Sequence, residues 1–201
     1  MNTKRIPGIL IGIIILALGV WWAITPRSVD VPEDQAPEDA ATYETAEVNE
    51  HGLQFEYRID PEPYRMTGVG RTGDELTHFQ YRYELMLESA YDELQASDEP
   101  REGPPTITVT VYDNPDELDP TDWGPEMGQF ADLDTILDEP DFVSVDGVEG
   151  TQYTADGLYA ADVVWVAAGD FLYRFAGEYI TDRDDIRDDF WFLIDSVQFT
   201  D

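Results

Sequence analysis

Apolar and polar positions alternate through most of the chain beyond residue 51. In "LQFEYRI" (53–59), Leu53, Phe55, Tyr57 and Ile59 fall on one side and polar residues on the other. "FQYRYELML" (79–87) repeats the pattern with Phe79, Tyr81, Tyr83, Leu85 and Leu87. "TITVTVYD" (106–113) sets Ile107, Val109 and Val111 against Thr106, Thr108 and Thr110. A period of two sends successive side chains to opposite faces of an extended backbone, so each run predicts a half-buried strand. "FVSV" and "VEGTQYTA" flank Asp146-Gly147, and "LYAADVVWVA" and "FLYRFAGEYI" flank Ala168-Gly169-Asp170. Asp-Gly and Gly-Asp between alternating runs are hairpin signals. "SVQF", near the end, predicts a last strand.

Two stretches predict helices. The first starts at Asp119-Pro120, an N-cap residue followed by the residue that best fits the first helical position. Gly124-Pro125 stops it after about one turn. The second covers Asp182 to Ile194, with Thr181 and Asp184 as a capping arrangement and acids crowding the first turn. Ile186, Phe190, Leu193 and Ile194 form its buried stripe. Strands dominate and helices do not alternate with them regularly. The fold class is therefore α+β, a mostly antiparallel sheet flanked by helices.

The amino-terminal pattern is different. Ile6 to Ile24 carry no charge. At about 1.5 Å per residue they extend roughly 28 Å, close to the thickness of a bilayer core. Lys4 and Arg5 precede the run, which places the amino terminus on the cytoplasmic side, and Trp21 and Trp22 suit the far interface. The run is long for a cleaved signal peptide, whose one candidate site is Ala23-Ile24-Thr25 before Pro26. Residues 26–50 are rich in Pro, Asp, Glu and Ala and read as an extended linker. The expected organisation is a transmembrane anchor (1–25), an acidic linker (26–50) and an extracytoplasmic α+β domain (51–201).

Charge narrows the partners. The chain has 44 acids, 11 bases and a net charge of −33. Beyond residue 27 the bases are eight arginines and no lysine. Such a surface repels phosphate polyanions, so nucleic acid is not an expected partner. The acids run along the whole chain rather than in one block, which fits adaptation to a high-salt medium better than a dedicated acidic surface for divalent cations or a basic partner. The chain has no cysteine, so disulfides, thiolate metal sites and thiol nucleophiles are excluded.

Catalytic signals are thin. "GVGRTG" (68–73) spells G-x-G-x-x-G. A dinucleotide turn needs a buried strand before it and a helix opening at its last glycine. Here "RIDPEPYRMT" precedes it and alternating aromatics soon follow. The segment is expected to be a flexible connection between the first two strands, its glycines permitting positive φ. His51 and His78 lack ligand spacing and are expected at a surface or edge. The serines, at 28, 89, 97, 144 and 196, have no recognisable base. "DLDTILDEPD" (132–141) and "DRDDIRDD" (182–189) lack the glycine and terminal glutamate of an EF-hand loop, leaving weak cation association. No catalytic, cofactor-binding or metal-ligating residue is assigned, and no cofactor is expected. Trp123, Trp165, Tyr112, Tyr159 and Tyr173 are expected to pack in the core or to form a partner surface.

Three segments carry a family likeness: "PPTITVTVYDNPDELDPTDW", "VDGVEGTQYTADGLYAADVVWV", and the terminal aromatic helix with "SVQF". Their order, with the D-x-x-x-W start of a short helix and the V-D-G-V-E-G hairpin, resembles the PsbP-like domains of bacteria and plastids over roughly residues 53–200. The resemblance implies an antiparallel sheet flanked by helices and a non-enzymatic binding or assembly role. Plant members assist the oxygen-evolving complex of photosystem II; no residue here matches the sites of that role, so it is not carried over. The short helix at Gly124-Pro125 departs from the longer helix of the family. The leading expectation is a membrane-anchored extracytoplasmic binding domain with a protein partner. The rival is an extracytoplasmic hydrolase with an unrecognised carboxylate site.

Overall fold

The computed structural model describes residues 41–70, 78–97, 102–120, 135–181 and 184–200. The 6–24 run, Trp123 and the helix expected beyond Asp119-Pro120 fall outside them. No helix among the described residues is long and apolar enough to cross a membrane.

Among the described residues, ten strands and two α-helices follow in the order β1 (Thr42–Val48), β2 (Leu53–Asp60), β3 (Tyr64–Gly70), β4 (Phe79–Leu87), α1 (Glu88–Ala96), β5 (Ile107–Asp113), β6 (Asp141–Val145), β7 (Val148–Ala155), β8 (Ala160–Ala168), β9 (Phe171–Tyr179), α2 (Asp185–Ser196) and β10 (Gln198–Phe199), with a 3-10 turn at Asn49–His51 between β1 and β2. A large sheet has the order β3-β4-β5-β9-β8-β7-β6, and a small one the order β1-β2-β10. Every strand pair is antiparallel. The β6–β7 turn is built from Asp146 (φ 48°) and Gly147 (φ 77°), both in the left-handed region that a two-residue hairpin turn needs. The β8–β9 turn uses Gly169, at φ 57°.

One face of the large sheet presents Val109, Val111, Val164, Val166, Tyr173 and Phe175 to Leu53 and Phe55 of β2 and to α2. The α2 stripe is the one the spacing predicts: Ile186, Phe190, Leu193 and Ile194 are buried. Each such side chain contributes about 1.5–3 kcal/mol by leaving water. Close approach depends on Gly177 of β9, where a Cβ would lie 2.7 Å from Phe190 Cβ. The opposite face buries Tyr112, Tyr153, Val163, Trp165 and Leu172, with Leu118 and Ile136 packed against them.

Three expectations are corrected, and one element is added. The domain does not start at 51: Thr42–Val48, placed in the linker, form β1. This strand buries just Ala46 and Val48, so its own pattern is faint. Pairing with β2 and stacking of Tyr43 on Phe192, ring centroids 3.8 Å apart, hold it. "GVGRTG" does not start as a loop, since its first three residues end β3. Gly68 and Gly70 pair with Tyr83 and Tyr81, and neither has positive φ. Their reason is steric: a Cβ on Gly68 would meet the Tyr81 ring, 2.8 Å from Cζ. The helix α1 was not anticipated; it buries no side chain and has no side-chain N-cap, so it lacks both sequence signals. Finally, His51 is buried rather than exposed, at 9%.

Candidate functional site

Three polar centres among the described residues each lie beside a partly open cavity. The most buried is Asp162, which points from β8 toward α2 and is 3% exposed. Its Oδ2 accepts from Arg187 Nε at 2.6 Å and Trp191 Nε1 at 3.0 Å. Its Oδ1 accepts from Arg187 Nη2 at 3.1 Å, Thr154 Oγ1 at 3.2 Å and the Tyr179 hydroxyl at 3.4 Å. Arg187 also lies over the Tyr179 ring, 4.6 Å from its centroid. A buried carboxylate is tolerated when charge and hydrogen bonds compensate its lost hydration. Here five donors do so, and they tie α2 to the sheet. A cavity of about 290 Å³ opens beside it, rimmed by Asp138, Glu139 and Asp141.

The second centre joins Asp189 of α2 to β2 and β3. Arg58 Nη2 sits 3.0 Å from Asp189 Oδ2, and both side chains are 10% exposed. The Tyr64 hydroxyl donates to the same oxygen at 2.8 Å. Burial raises the Asp189 pKa above the ordinary carboxylate value, against the opposing pull of Tyr64 and Arg58. Burial, and then the Asp189 charge, push the Tyr64 phenol far above its ordinary value. Arg58, Glu62, Pro104, Pro105 and Asp185 line the adjoining cavity of about 400 Å³.

The third centre is aromatic. His51 Nδ1 and the Tyr83 hydroxyl share a hydrogen bond of 2.8 Å. The rings of Tyr81, Tyr83 and Phe171 surround the imidazole with centroids 5.5, 6.0 and 5.9 Å away. Burial lowers the His51 pKa despite the charges of Glu50 and Asp113. It also pushes the Tyr83 phenol up to about 12. The Tyr173 hydroxyl donates to the His51 carbonyl at 2.7 Å. A groove of about 340 Å³ beyond Phe171 and Tyr173 has Glu50 and Asp170 on its rim.

Other residues singled out in the sequence serve the fold. Trp165 donates Nε1 to the Tyr153 hydroxyl at 3.0 Å and stacks on Tyr112. The Tyr159 hydroxyl donates to the Gly103 carbonyl at 2.7 Å. Ser196 Oγ accepts the Glu56 N–H and donates to the Leu193 carbonyl, tying the end of α2 to β2. Asp184 accepts the N–H groups of Ile180 and Thr181 and the Thr181 hydroxyl. The capping pair thus works in reverse, with the carboxylate reaching back to fix the entry to α2. Among the described residues no group of three or more His, Asp or Glu side chains is arranged to hold a metal ion. Sequence reasoning missed Asp162, Asp189 and their partners. An aspartate inside the apolar run "AADVVWV" was the available signal for the first.

No family model matches the chain, and no curated protein does. Among solved structures, it is similar to the solution structure of cyanobacterial PsbP (CyanoP) from Synechocystis sp. PCC 6803. The TM-score is 0.51 at 13% identity, and the match covers 84% of this chain and 98% of that one. The fold is PsbP-like. At this identity the likeness is one of architecture, so the mostly antiparallel sheet with its helices is shown, and function is argued separately.

Proposed function

We propose that the protein is a membrane-anchored, extracytoplasmic binding or assembly domain that carries out no catalysis. The observation that carries this reading is the state of the buried polar groups. Asp162 and Asp189 are each engaged by an arginine and by hydroxyl or indole donors from other elements. His51 is bound to Tyr83. A general acid has to present its proton, or a general base its free lone pair, to a substrate in a cleft. These groups instead fasten elements together, and the cavities beside them are partly open to solvent. The PsbP-like fold supports the same reading. The charge-free run 6–24, with Lys4 and Arg5 before it, supports the anchor and its orientation.

Protease added to intact cells tests the topology together with the role. The expected result is loss of the folded domain from the cell surface, with Met1 or Asn2 retained in the untreated protein. A mature amino terminus near Pro26 overturns the anchor. Chemical cross-linking in the protein's own membranes should give a discrete complex. A domain that cross-links to nothing and turns over ester or peptide substrates overturns the binding role.

A further inference from the structure

Among the described residues the large sheet ends on one side at β3, and this edge is unlike those of β6 and β1. The Glu88 N–H bonds to the Pro63 carbonyl at 2.9 Å, immediately before the β3–β4 register begins. Hydrogen-bonded pairs alternate along an antiparallel ladder. Arg65, Thr67 and Val69 therefore spend their backbone groups on β4. Tyr64, Met66, Gly68 and Gly70 turn theirs outward. Residues 65–69 are exposed, with Met66 at 37% and Val69 at 57%.

Exposed edges are normally blunted by lysine, proline, bulges or charges. The β3 register runs without a bulge, and the strand has no lysine, proline or acid. Residues 63–73 hold no carboxylate at all in a chain with 44 of them. Arg65 is drawn aside onto the Tyr91 ring, 4.3 Å from its centroid. The β6 and β1 edges are defended. On β6 the Asp141 carboxylate accepts the Phe142 N–H at 2.8 Å, with Asp138 and Glu139 nearby. On β1, Glu44 and Glu47 stand along the strand.

We propose that β3 is a self-association edge: two copies of the chain pair β3 with β3 antiparallel about a two-fold axis at Thr67. The strand is complementary to itself in that register. Met66 faces the partner's Gly68, Tyr64 faces the partner's Gly70, and Arg65 faces the partner's Val69. Large side chains oppose glycines, and no two like charges stand opposite each other. The outward N–H and C=O groups are those of residues 64, 66, 68 and 70, which are the ones this register pairs. Such a contact is isologous and closed, giving a dimer and no fibre. Because each copy is strongly negative, pairing strengthens with salt.

A cysteine-free chain makes the test direct. Thr67 and the partner's Thr67 form a non-hydrogen-bonded pair, with Cα atoms about 4.5 Å apart. That lies in the range a disulfide spans. Mild oxidation of full-length Thr67→Cys, in its own membranes and in detergent micelles with about 1 M salt, should give a band of twice the chain mass. Val69→Cys, placed opposite the partner's Arg65, should cross-link several-fold less. Light scattering of the wild type in the same micelles should give two chains per particle, and Met66→Asp one. Equal cross-linking of both cysteine variants, a single chain per wild-type particle, or a Thr67→Cys adduct with a protein of another mass each overturns the proposal. Thr67 and Met66 lie on the surface, and far-UV circular dichroism checks that the variants fold.

Discussion

Asp162 sets what a single residue does here. Removing its carboxylate takes the shared acceptor away from Arg187, Trp191, Thr154 and Tyr179 at a site where the Asp162 side chain is 4% exposed and that of Arg187 30%. Breaking a buried pair by removing one partner costs about 3–5 kcal/mol, and the partial hydration of Arg187 puts Asp162→Ala at the low end, near about 3 kcal/mol. Asp92→Ala is the control. Its pair with Arg65 is 3.9 Å long, with side chains 44% and 73% exposed, and pairs of this kind contribute about 0.5 kcal/mol or less. Chemical denaturation of both variants at fixed salt should show a large fall in midpoint for the first and little change for the second. His51 adds a pH dependence. Its pKa in the folded state lies below the ordinary 6.5 because burial disfavours the imidazolium. The unfolded chain therefore binds the proton more readily, and stability falls as pH drops from 6.5 through the lower folded value. Asp189 acts with the opposite sign, since its raised pKa makes the folded state the better proton binder just above 3.8. Denaturation midpoints between pH 7 and 5, the window below about 6.5 where histidine titrates, should decline in the wild type. They should decline less in His51→Gln. Equal slopes would show that His51 is not the group responsible.

At the scale of elements, the junction between α2 and the large sheet organises the domain. Asp162, Asp189 and Ser196 each reach across it, and the α2 stripe fills it. Gly177 determines how closely the helix sits, because an added Cβ would lie 2.7 Å from Phe190 Cβ and 2.8 Å from Cδ2. Phe190 is fully buried and cannot swing away. Gly177→Ala should cost about 1–3 kcal/mol by overpacking, measured as a lower thermal midpoint. Gly147→Ala meets nothing within 4 Å, and its cost comes from backbone alone, at φ 77°. Elements also show why parts of the fold were not legible in sequence. The strands β5, β8 and β9 bury runs of their residues, and β2, β4 and β7 bury alternate apolar positions at one end or the other, which produces visible alternation. Strand β1 and helix α1 bury little of their own and are held by what they pair with or follow. Their existence is a tertiary fact with a faint local trace.

For the molecule as a whole, charge dominates. Eight arginines oppose 44 acids beyond residue 27. At low ionic strength the self-repulsion of the domain is barely screened, since the Debye length is about 30 Å at 0.01 M and about 3 Å at 1 M. Added sodium chloride should raise the thermal midpoint of the protein steeply at first and then more slowly. A specific divalent site would instead saturate at low calcium concentration, with sodium a poor substitute. Thermal unfolding across the two salt series at matched ionic strength separates these outcomes. Indifference to sodium chloride would remove the case for salt adaptation.

Sequence by itself determined the strands with strong period-two patterns, both hairpin turns, the buried stripe of α2 and the α+β class. Each rests on a local rule: side-chain direction alternates along a strand, repeats every 3.6 residues in a helix, and positive φ favours glycine. It also sufficed to set aside a dinucleotide site at "GVGRTG", because that site needs flanks the chain lacks. Tertiary structure alone decided why those glycines are there, and that β3 is the last strand on its side of the large sheet among the described residues. It alone brought Asp162 to Arg187 and Trp191, and buried His51 against Tyr83. Those facts join residues separated by 25, 29 and 32 positions. A carboxylate among 44 becomes special through the low-dielectric place to which the fold carries it, and no local pattern encodes that place.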